Sequence, residues 1–495
     1  MIAVLGIAAE ADAAVIARVK NGTLTVTGTA AGDRLALRRC APGWLIVDIG
    51  DNGTADHSFR RTTFTKIVVN AGGGNDRLRI NESKGVFTNS EATTLNGQAG
   101  NDLVLGGSSQ EILRGGTGND TVDGNPGSDD VALGAGNDSF VWNTGDGADD
   151  VRGDTETDTV TVNGSAGADV ITASPSAVLG HVLVSGGLDV ATTENLIVNG
   201  LGGGDTLSAG SLAGLVQLTL DGGGGDDILN GGNGSDTLIG GTDADTLDGN
   251  LGLDSGVMGA GDDTFVWDPG DGSDVVEGGA DQDRLRFNGS AGGETFTLSA
   301  SGTRLAFTRN IGNILMDVDD VEAVSVNALA SADTVTVNDL AATDVTSVDI
   351  DLGVGGIGDL SADAVIVNAT ATANVVRVSG ASGGVSVVSP SLAVGIVDSE
   401  PANDSLTINA STAADLISAS TLASTSVQLT INGNNGDDIL VGSQGGDTIN
   451  GGAGNDHISA GDGNDTIDGG ADTDTIDGGA GLDVAINGEN VTNVP

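Results

Sequence analysis

A nine-residue repeat is the feature that most constrains how this chain of 495 residues folds. In three tracts, residues 97–141, 222–266 and 433–486, glycines at the first, second and fourth places precede an acidic residue at the sixth place and an apolar residue at the eighth. The tracts contain five, five and six units, and fifteen of these sixteen units carry Asp at the sixth place, while the remaining one carries Glu111. So short and regular a repeat predicts a stack of equivalent structural units.

Each unit is predicted to form a six-residue turn followed by a three-residue strand. Glycine permits the positive φ angles and close backbone approach that such a turn requires. Side chains alternate along a strand, so only the eighth residue of each unit faces inward. The predicted inner row is Val104, Leu113, Val122, Val131 and Phe140, then Leu229, Leu238, Leu247, Gly256 and Phe265, then Leu440, Ile449, Ile458, Ile467, Ile476 and Ala485. Gly256 and Ala485 are expected to leave gaps in this row.

Two units are predicted to complete one coil of a flattened parallel β-helix, so every second unit lies about 4.8 Å above its predecessor. This stacking places Asp227 beside Asp245 and Asp245 beside Asp263. Carboxylates in such a stack repel one another, which predicts a cation between the layers. The available ligands are carboxylate and carbonyl oxygens. These favour Ca²⁺ over Zn²⁺, which prefers nitrogen and sulfur, and over Mg²⁺, which loses its water reluctantly.

The units resemble the repeat-in-toxin (RTX, haemolysin-type) nonapeptide, G-G-x-G-x-D-x-U-x, in which U is a bulky apolar residue. The resemblance implies that Ca²⁺ ions lie between stacked turns and are held by the sixth-place acids and by turn carbonyls of both layers. The acidic ligands so implied are Asp102, Glu111, Asp120, Asp129, Asp138, Asp227, Asp236, Asp245, Asp254, Asp263, Asp438, Asp447, Asp456, Asp465, Asp474 and Asp483. The carbonyl ligands so implied include those of Gly116, Gly118, Gly232, Gly234, Gly452 and Gly454.

Some positions depart from the family pattern. Glu111 is longer than Asp, and its unit lacks the fourth-place glycine. Pairing each unit with the unit two ahead gives about ten sites, of which several are expected to be weak. The alternative is a solenoid that needs no metal, in which the acids only solvate the turns. Five acids outside the tracts are interpreted as turn residues and not as ligands, namely Asp76, Asp169, Asp205, Asp333 and Asp415.

The chain is predicted to be all-β, with parallel β-roll or β-solenoid blocks joined by short-strand, β-rich spacers. Helix signals are poor because glycine and β-branched residues dominate. The predicted domains are an N-terminal β segment with a signal remnant at 1–65, a first repeat module at 66–165 (block 97–141), a second at 166–290 (block 222–266), a spacer at 291–405, and a third module at 406–495 (block 433–486).

Charge narrows the range of partners. The chain has 18 basic and 70 acidic side chains, a formal charge of −52 at pH 7. No basic face exists for phosphate, so nucleic acid is excluded as a partner. The sequence contains no run of 18 apolar residues, so no transmembrane segment is predicted. The predicted partners are calcium ions and, at a cell surface or in a matrix, other copies of the chain.

No catalytic motif is recognisable, and the chain is predicted not to be an enzyme. It contains no H-E-x-x-H or P-loop sequence. The acidic run Asp154, Glu156 and Asp158 begins like an EF-hand loop but lacks its glycine and final acid. Trp142 and Trp267, which follow the first two tracts, are interpreted as apolar end caps in preference to a sugar-binding surface.

These observations predict a secreted protein, extracellular or at the cell surface, that is structural or adhesive and folds when it binds Ca²⁺. The alternative is a fragment of an RTX-type secreted toxin or hydrolase whose repeats serve export and folding. Residues 9–13 contain two overlapping A-x-A patterns typical of signal cleavage sites. Without a basic residue before Arg18, either the true start lies upstream or this segment is a first strand.

Overall fold

The computed structural model of the protein describes residues 14–494. Its regular secondary structure consists of β-strands and two 3-10 turns, Arg61–Thr63 and Ile311–Asn313, and the described residues contain no α-helix. The A-x-A patterns of the signal hypothesis lie outside the described residues. The chain divides into two compact units, the first comprising 14–224 and Gly231–Asp236, the second Gly225–Asn230 and 237–494. The division predicted from the sequence into modules of common ancestry remains a prediction.

The strands of the first unit are short and run from the N-terminal segment through the first tract to the start of the second. They are β1 (Ile16–Lys20), β2 (Thr23–Thr27), β3 (Arg34–Ala41), β4 (Trp44–Ile49), β5 (His57–Arg60), β6 (Lys66–Gly73), β7 (Arg77–Asn81), β8 (Ala92–Ala99), β9 (Leu103–Leu105), β10 (Glu111–Thr117), β11 (Thr121–Asp123), β12 (Asp130–Ala135), β13 (Ser139–Asn143), β14 (Asp150–Thr155), β15 (Thr159–Asn163), β16 (Val170–Pro175), β17 (His181–Val184), β18 (Leu188–Ala191), β19 (Asn195–Asn199), β20 (Thr206–Ala209) and β21 (Gln217–Gly224).

The strands of the second unit continue in the same style through the long spacer and the third tract. They are β22 (Ile228–Asn230), β23 (Thr237–Thr242), β24 (Thr246–Asp248), β25 (Ser255–Ala260), β26 (Thr264–Trp267), β27 (Val275–Ala280), β28 (Arg284–Asn288), β29 (Thr295–Ser301), β30 (Arg304–Arg309), β31 (Ile314–Asp319), β32 (Ala323–Asn327), β33 (Thr334–Val337), β34 (Ser347–Asp351), β35 (Ala364–Asn368), β36 (Val375–Ala381), β37 (Gly384–Val388), β38 (Ala393–Val397), β39 (Ser405–Asn409), β40 (Leu416–Leu422), β41 (Gln428–Asn432), β42 (Ile439–Val441), β43 (Thr448–Ala453), β44 (His457–Ser459), β45 (Thr466–Ala471), β46 (Thr475–Asp477), β47 (Val484–Ile486) and β48 (Asn490–Thr492).

Parallel pairing at a spacing of two nonapeptides organises the tracts. Consecutive strands alternate between two sheets, and each strand pairs with the one a full coil away. In the first tract β10 pairs with β12, placing Leu113 opposite Val131, and β11 pairs with β13, placing Val122 opposite Phe140. The third tract repeats this arrangement between β44 and β46. The predicted coil of two units and the all-β, β-solenoid class are therefore confirmed.

The eighth-place side chains form the core, as predicted. All five in the first tract are fully buried, and so are the leucines of the second tract and the Leu and Ile residues of the third. The gap expected at Gly256 is filled by its neighbour, because a Cβ on Gly256 would lie only 2.6 Å from Cε2 of Phe265. Ala485, near the end of the stack, is only partly buried. A glycine in the inner row therefore makes room for a larger ring one strand later.

The spacers add antiparallel strands to the stacks. In the first unit β16, β17 and β18 form a meander whose outer strands pair in parallel with β20 and β14. In the second unit the triplets β29–β31 and β36–β38 are built in the same way. The short strands and turns expected for the spacers are present, and they share sheets with the repeat strands. Spacers and tracts therefore form continuous stacks within each unit.

Trp142 and Trp267 lie inside the core. Trp267 is fully buried and stacks on Phe287 with ring centroids 4.0 Å apart, while Trp142 is 4% exposed. Their strands, β26 and β13, continue into parallel pairs with β28 and β15. The interpretation as end caps is therefore wrong, because the stack continues past both residues. Burial also leaves neither indole face available to a sugar.

Asparagines at strand ends form a side-chain ladder along the second unit. The Nδ2 group of each donates to Oδ1 of the asparagine one coil earlier, at 2.7 Å for Asn450 to Asn432, Asn432 to Asn409, Asn409 to Asn368 and Asn368 to Asn338. Such identical amide pairs satisfy half-buried polar groups within the stack.

Replacing Asn368 in the middle of this ladder with Ala removes two amide hydrogen bonds. We expect the free energy of unfolding to fall by about 1–3 kcal/mol, because the remaining partners keep only part of their hydration. Urea unfolding followed by circular dichroism measures the change. The exposed Asn89→Ala is the control and should change stability by less than about 0.5 kcal/mol. Equal effects of the two variants would contradict a stabilising ladder.

Candidate metal centre

The sixth-place acids form columns of hydrogen bonds through the turns. The backbone N–H of one acid donates to Oδ1 of the acid one coil later, at 2.7 Å from Asp102 to Asp120 and from Asp120 to Asp138. The same bond is 2.9 Å long from Asp438 to Asp456 and from Asp456 to Asp474. All the sixth-place acids are buried, with at most 4% exposure. The stacking predicted from the nine-residue frame therefore brings these carboxylates together.

The second carboxylate oxygen of many of these acids is buried without a hydrogen-bond partner. We call such residues open acids. Among the predicted ligands they are Asp102, Asp120, Asp129, Asp138, Asp245, Asp263, Asp438, Asp456, Asp465, Asp474 and Asp483, and Glu111 has one such oxygen, Oε1. Burying an unpaired carboxylate oxygen costs several kcal/mol or more. Columns of open acids are therefore stable only when a positive charge or a proton accompanies them.

Carbonyl oxygens approach the open acids at the first-place glycines. A Cβ on Gly115 would lie 2.5 Å from Oδ2 of Asp120 and would also overlap the carbonyl oxygen of Leu133, one coil later. In the third tract a Cβ on Gly451 would meet Oδ2 of Asp456 and the carbonyl oxygen of Gly469 in the same way. The donor set at these turns therefore consists of hard oxygens from two successive coils, which fits Ca²⁺.

The glycines predicted as carbonyl ligands lie between the coils. Gly116, Gly118, Gly232, Gly234, Gly452 and Gly454 all have positive φ, between 90° and 143°. The carbonyl oxygens of Gly116 and Gly118 are directed at the backbone of Gly134 and Gly136, one coil later. The carbonyls that adjoin the acid side chains come instead from first-place residues, such as Gly115, which the sequence interpretation did not include.

The residue four positions before the acid distinguishes open acids from satisfied ones. In the turns of the open aspartates of the tracts it has positive φ, as at Gly116 and Gly452. Before Asp447 this position is Ser443, whose N–H donates to Oδ2 at 2.6 Å and whose hydroxyl donates to Oδ1 at 2.7 Å. Asp447 thus obtains both partners from its own turn, unlike the other acids of its tract. We call such residues closed acids.

Two of the acids interpreted as turn residues are closed in the same way. The N–H of Ser165 donates to Asp169 at 2.6 Å, and that of Ser411 donates to Asp415 at 2.8 Å. Asp76 and Asp333, by contrast, each bury an unpartnered Oδ2. A serine at the second place is therefore the sequence signal of a closed turn.

Burial and mutual repulsion raise the pKa values of several carboxyl groups in the columns. Desolvation is the main cause at Asp129, whose pKa rises to about 8, with the charges of Glu111 and Asp149 adding to it. The same causes raise the pKa of Asp120 and that of Asp245 to about 7. A column of such groups at neutral pH has a strong tendency to bind either protons or a cation.

Four further acids extend the columns beyond the nine-residue frame. The backbone N–H of Asp129 donates to Oδ1 of Asp149 at 2.8 Å, and that of Asp138 donates to Oδ1 of Asp158 at 2.9 Å. In the second unit the backbone N–H of Asp254 donates to Oδ1 of Asp274 at 2.9 Å, and that of Asp263 donates to Oδ1 of Asp283 at 3.0 Å. These coils contain 20 residues instead of 18, so counting in nines loses them. The signal that remained was an Asp placed two residues before an inward apolar residue, as in Asp283-Arg284-Leu285.

A second, outer ladder joins the fifth-place residues and runs in the opposite direction. The N–H of Asn101 donates back to Oδ1 of Asn75 at 2.9 Å, that of Asn119 to Asn101 at 3.0 Å, and that of Asn137 to Asn119 at 3.1 Å. Adjacent peptide N–H groups therefore point to opposite neighbours in the stack. The frequent Asn or Asp at the fifth place signalled this ladder, but sequence interpretation centred on the sixth place.

Three other carboxylates of the second unit, those of Glu277, Asp319 and Asp320, lie within 4.8 Å of one another. The Arg304 guanidinium contacts Glu277 at 2.9 Å and Asp319 at 3.0 Å. The chain itself therefore supplies positive charge to this cluster, in contrast to the turn columns.

The model of one protein family matches this chain. It describes the RTX calcium-binding nonapeptide repeat in four copies, and the matches cover residues 87–110, 105–140, 221–256, 270–291, 432–467 and 450–485. The match at 270–291 contains Asp274 and Asp283, which the nine-residue frame does not reach. No curated protein sequence matches the chain. No helix within residues 14–494 combines the length and the apolar character needed to cross a membrane.

Proposed function

We propose that this chain, a calcium-binding repeat protein with nonapeptides of the RTX type, is an extracellular structural or adhesive protein that becomes rigid when it binds Ca²⁺. The observation that carries this proposal is the set of open acids, whose buried oxygens have no partner among residues 14–494. Ca²⁺ takes six to eight oxygen ligands in flexible geometry, which suits carboxylates and carbonyls from two coils.

The mechanism is ion-linked folding. The ligands come from successive coils, so a binding site exists only once the coils have stacked. Binding free energy therefore becomes folding free energy. Extracellular modules bind Ca²⁺ with dissociation constants of about 10⁻⁴–10⁻³ M. With sites of this class the chain stays loosely folded where calcium is scarce and stacks fully where it is abundant.

The role we propose is not catalytic. In the columns, one oxygen of each acid accepts a backbone N–H from the neighbouring coil, as Asp120 does from Asp102. A carboxylate committed to the stack is poorly placed for proton transfer to a substrate. A series of coils joined by metal suits a support or an adhesive surface, where calcium also promotes contact between copies. Light scattering against calcium concentration tests that self-association.

We expect excess chelator at pH 7.5 to remove most of the β-sheet circular dichroism signal, because the open acids then repel one another without compensation. Addition of millimolar Ca²⁺ should restore the signal, and isothermal titration calorimetry should show several ions bound per chain. Mg²⁺ at the same concentration is the control and should restore little, since it loses its water reluctantly. A sheet signal unchanged by chelator would contradict ion-linked folding.

A further inference from the structure

A column of four acids runs through the long spacer of the second unit, outside every nonapeptide match. The N–H of Glu294 donates to Oδ1 of Asp333 at 2.6 Å, that of Asp333 to Asp363 at 2.7 Å, and that of Asp363 to Asp404 at 3.1 Å. Of the glycines at places one, two and four of the repeat, the turn before Asp333 has none and the turn before Asp363 has only Gly358. The column geometry of the tracts is therefore reproduced by a different sequence.

The two ends of this column are satisfied by the chain. The Arg309 guanidinium donates from Nε to Oε1 of Glu294 at 2.6 Å, and the N–H of Ser290 donates to its Oε2 at 2.6 Å. At the other end the N–H of Glu400 donates to Oδ2 of Asp404 at 2.6 Å. Both terminal acids therefore have partners for the oxygens that would otherwise be left over.

The two middle acids have no such partner. Asp333 is 2% exposed and Asp363 is 1% exposed, and Oδ2 of each is buried without a hydrogen bond. Their surroundings add negative charge, because Asp359 accepts the N–H of Ser331 beside Asp333. The basic residue of the column, Arg309, is held by Glu294. A pair of buried carboxylates in adjacent coils is thus left with uncompensated charge.

In the neighbouring column an amide in the acid position supplies a hydrogen-bond donor. There Asn374 occupies the acid position, and its Nδ2 donates to the carbonyl oxygen of Thr370 at 3.0 Å and to Oδ1 of Asp415 at 3.1 Å. The amide thus joins a turn carbonyl to the acid of the next coil. In the part of the chain that the structure describes, no donor reaches Oδ2 of Asp333 or Asp363.

We propose that Asp333 and Asp363 hold a divalent cation of the calcium type between two coils of the spacer. The bound ion would join the spacer to the same ion-linked stack as the tracts. This site extends the proposed function, because it relies on calcium but lies outside the repeats that the family model matches. Asp333, interpreted from the sequence as a turn residue, would then be a ligand as well.

Hydrogen exchange measured by mass spectrometry on the full chain tests this site locally. In wild type we expect Ca²⁺ to slow exchange in peptides covering 328–338 and 359–368, by about tenfold at a concentration ten times the dissociation constant. Asp333→Asn and Asp363→Asn should each lose this calcium-dependent protection while residues 433–486 keep theirs. The exposed Asp344→Asn, which removes the same charge, should behave as wild type.

A second measurement guards against variants that simply fold poorly. An amide at position 333 removes repulsion and supplies a donor, as at Asn374, so Asp333→Asn should retain at least as much β-sheet circular dichroism signal as wild type in chelator at pH 7.5. Calcium-dependent protection in 433–486 but not in 328–338 of wild type would overturn the spacer site and leave the proposed function standing. Protection in neither region would overturn both.

Discussion

In the absence of calcium, the protein should be more stable at pH 5 than at pH 8, and in millimolar Ca²⁺ this order should reverse. Many of the open acids have folded pKa values above the value of about 3.9 for an unfolded Asp. Burial raises them to about 8 at Asp129 and to about 7 at Asp120, Asp245 and Asp283. Without metal, the folded state therefore holds protons that the unfolded state has released.

The sign follows from proton linkage. Because these pKa values are raised, protonation stabilises the fold fully below the unfolded pKa near 4, and this contribution is lost as pH rises through 6 to 8. Each such group contributes up to about 1.4 kcal/mol for every pH unit that separates its two pKa values. Many groups act together, so we expect the calcium-free fold to weaken by several kcal/mol or more between pH 5 and pH 8.

Calcium inverts the trend because it binds deprotonated carboxylates and competes with protons. Circular dichroism with and without urea at pH 5, 6, 7 and 8, in calcium and in a chelator that stays effective at low pH, measures both trends. In chelator the sheet signal should already be low at pH 8 without urea. Sodium chloride at matched ionic strength controls for screening of the net charge. A calcium-free stability that rises with pH would show that the columns are not protonated in the fold.

Gly452→Ala should be among the most damaging single substitutions in the chain. Gly452 has φ of +110°, and a Cβ there would overlap the carbonyl oxygen of Asn434 in the preceding coil. The atoms that this Cβ would meet are backbone atoms of Asn434, so the coils must separate to relieve the overlap. Separation also disturbs the acid column at Asp438 and Asp456. We expect the free energy of unfolding in calcium to fall by about 4 kcal/mol or more.

Gly383→Ala provides a matched control. Gly383 also has positive φ, +80°, but a Cβ there would meet no atom within 4 Å. Its substitution therefore adds only the conformational strain of an L-residue, about 1–2 kcal/mol. Urea unfolding of both variants in saturating calcium separates backbone strain from steric overlap between coils. Equal losses would show that close approach of the coils contributes nothing at Gly452.

The repeat alone predicted the coil of two units, the inward row and the stacked acids, because each depends on local periodicity. The nine-residue frame could not follow the columns into Asp149 or Asp283, since a coil lengthened by two residues breaks the count without breaking the stack. It also missed Asp363, whose turn keeps only one of the three glycines that mark the repeat, Gly358.

Other features depend on contacts that sequence spacing does not encode. The closed state of Asp447 results from a single serine whose N–H and hydroxyl both reach the carboxylate. The pairing of spacer meanders with repeat strands involves residues far apart in the chain, as where β14 meets β18. The filling of the space at Gly256 by Phe265 required side-chain positions.

The two hydrogen-bond ladders, at the sixth-place and fifth-place residues, run in opposite directions along the stack. Each repeat coil therefore has one kind of upper face and one kind of lower face. Toward one neighbour a coil offers the N–H of its sixth residue, and toward the other the N–H of its fifth, as Asp102 and Asn119 do. A duplicated coil inserted between two coils of a tract would form with each of them the same contacts that those two coils made with each other. Genes for such a protein can therefore lengthen by whole coils without inventing a new contact.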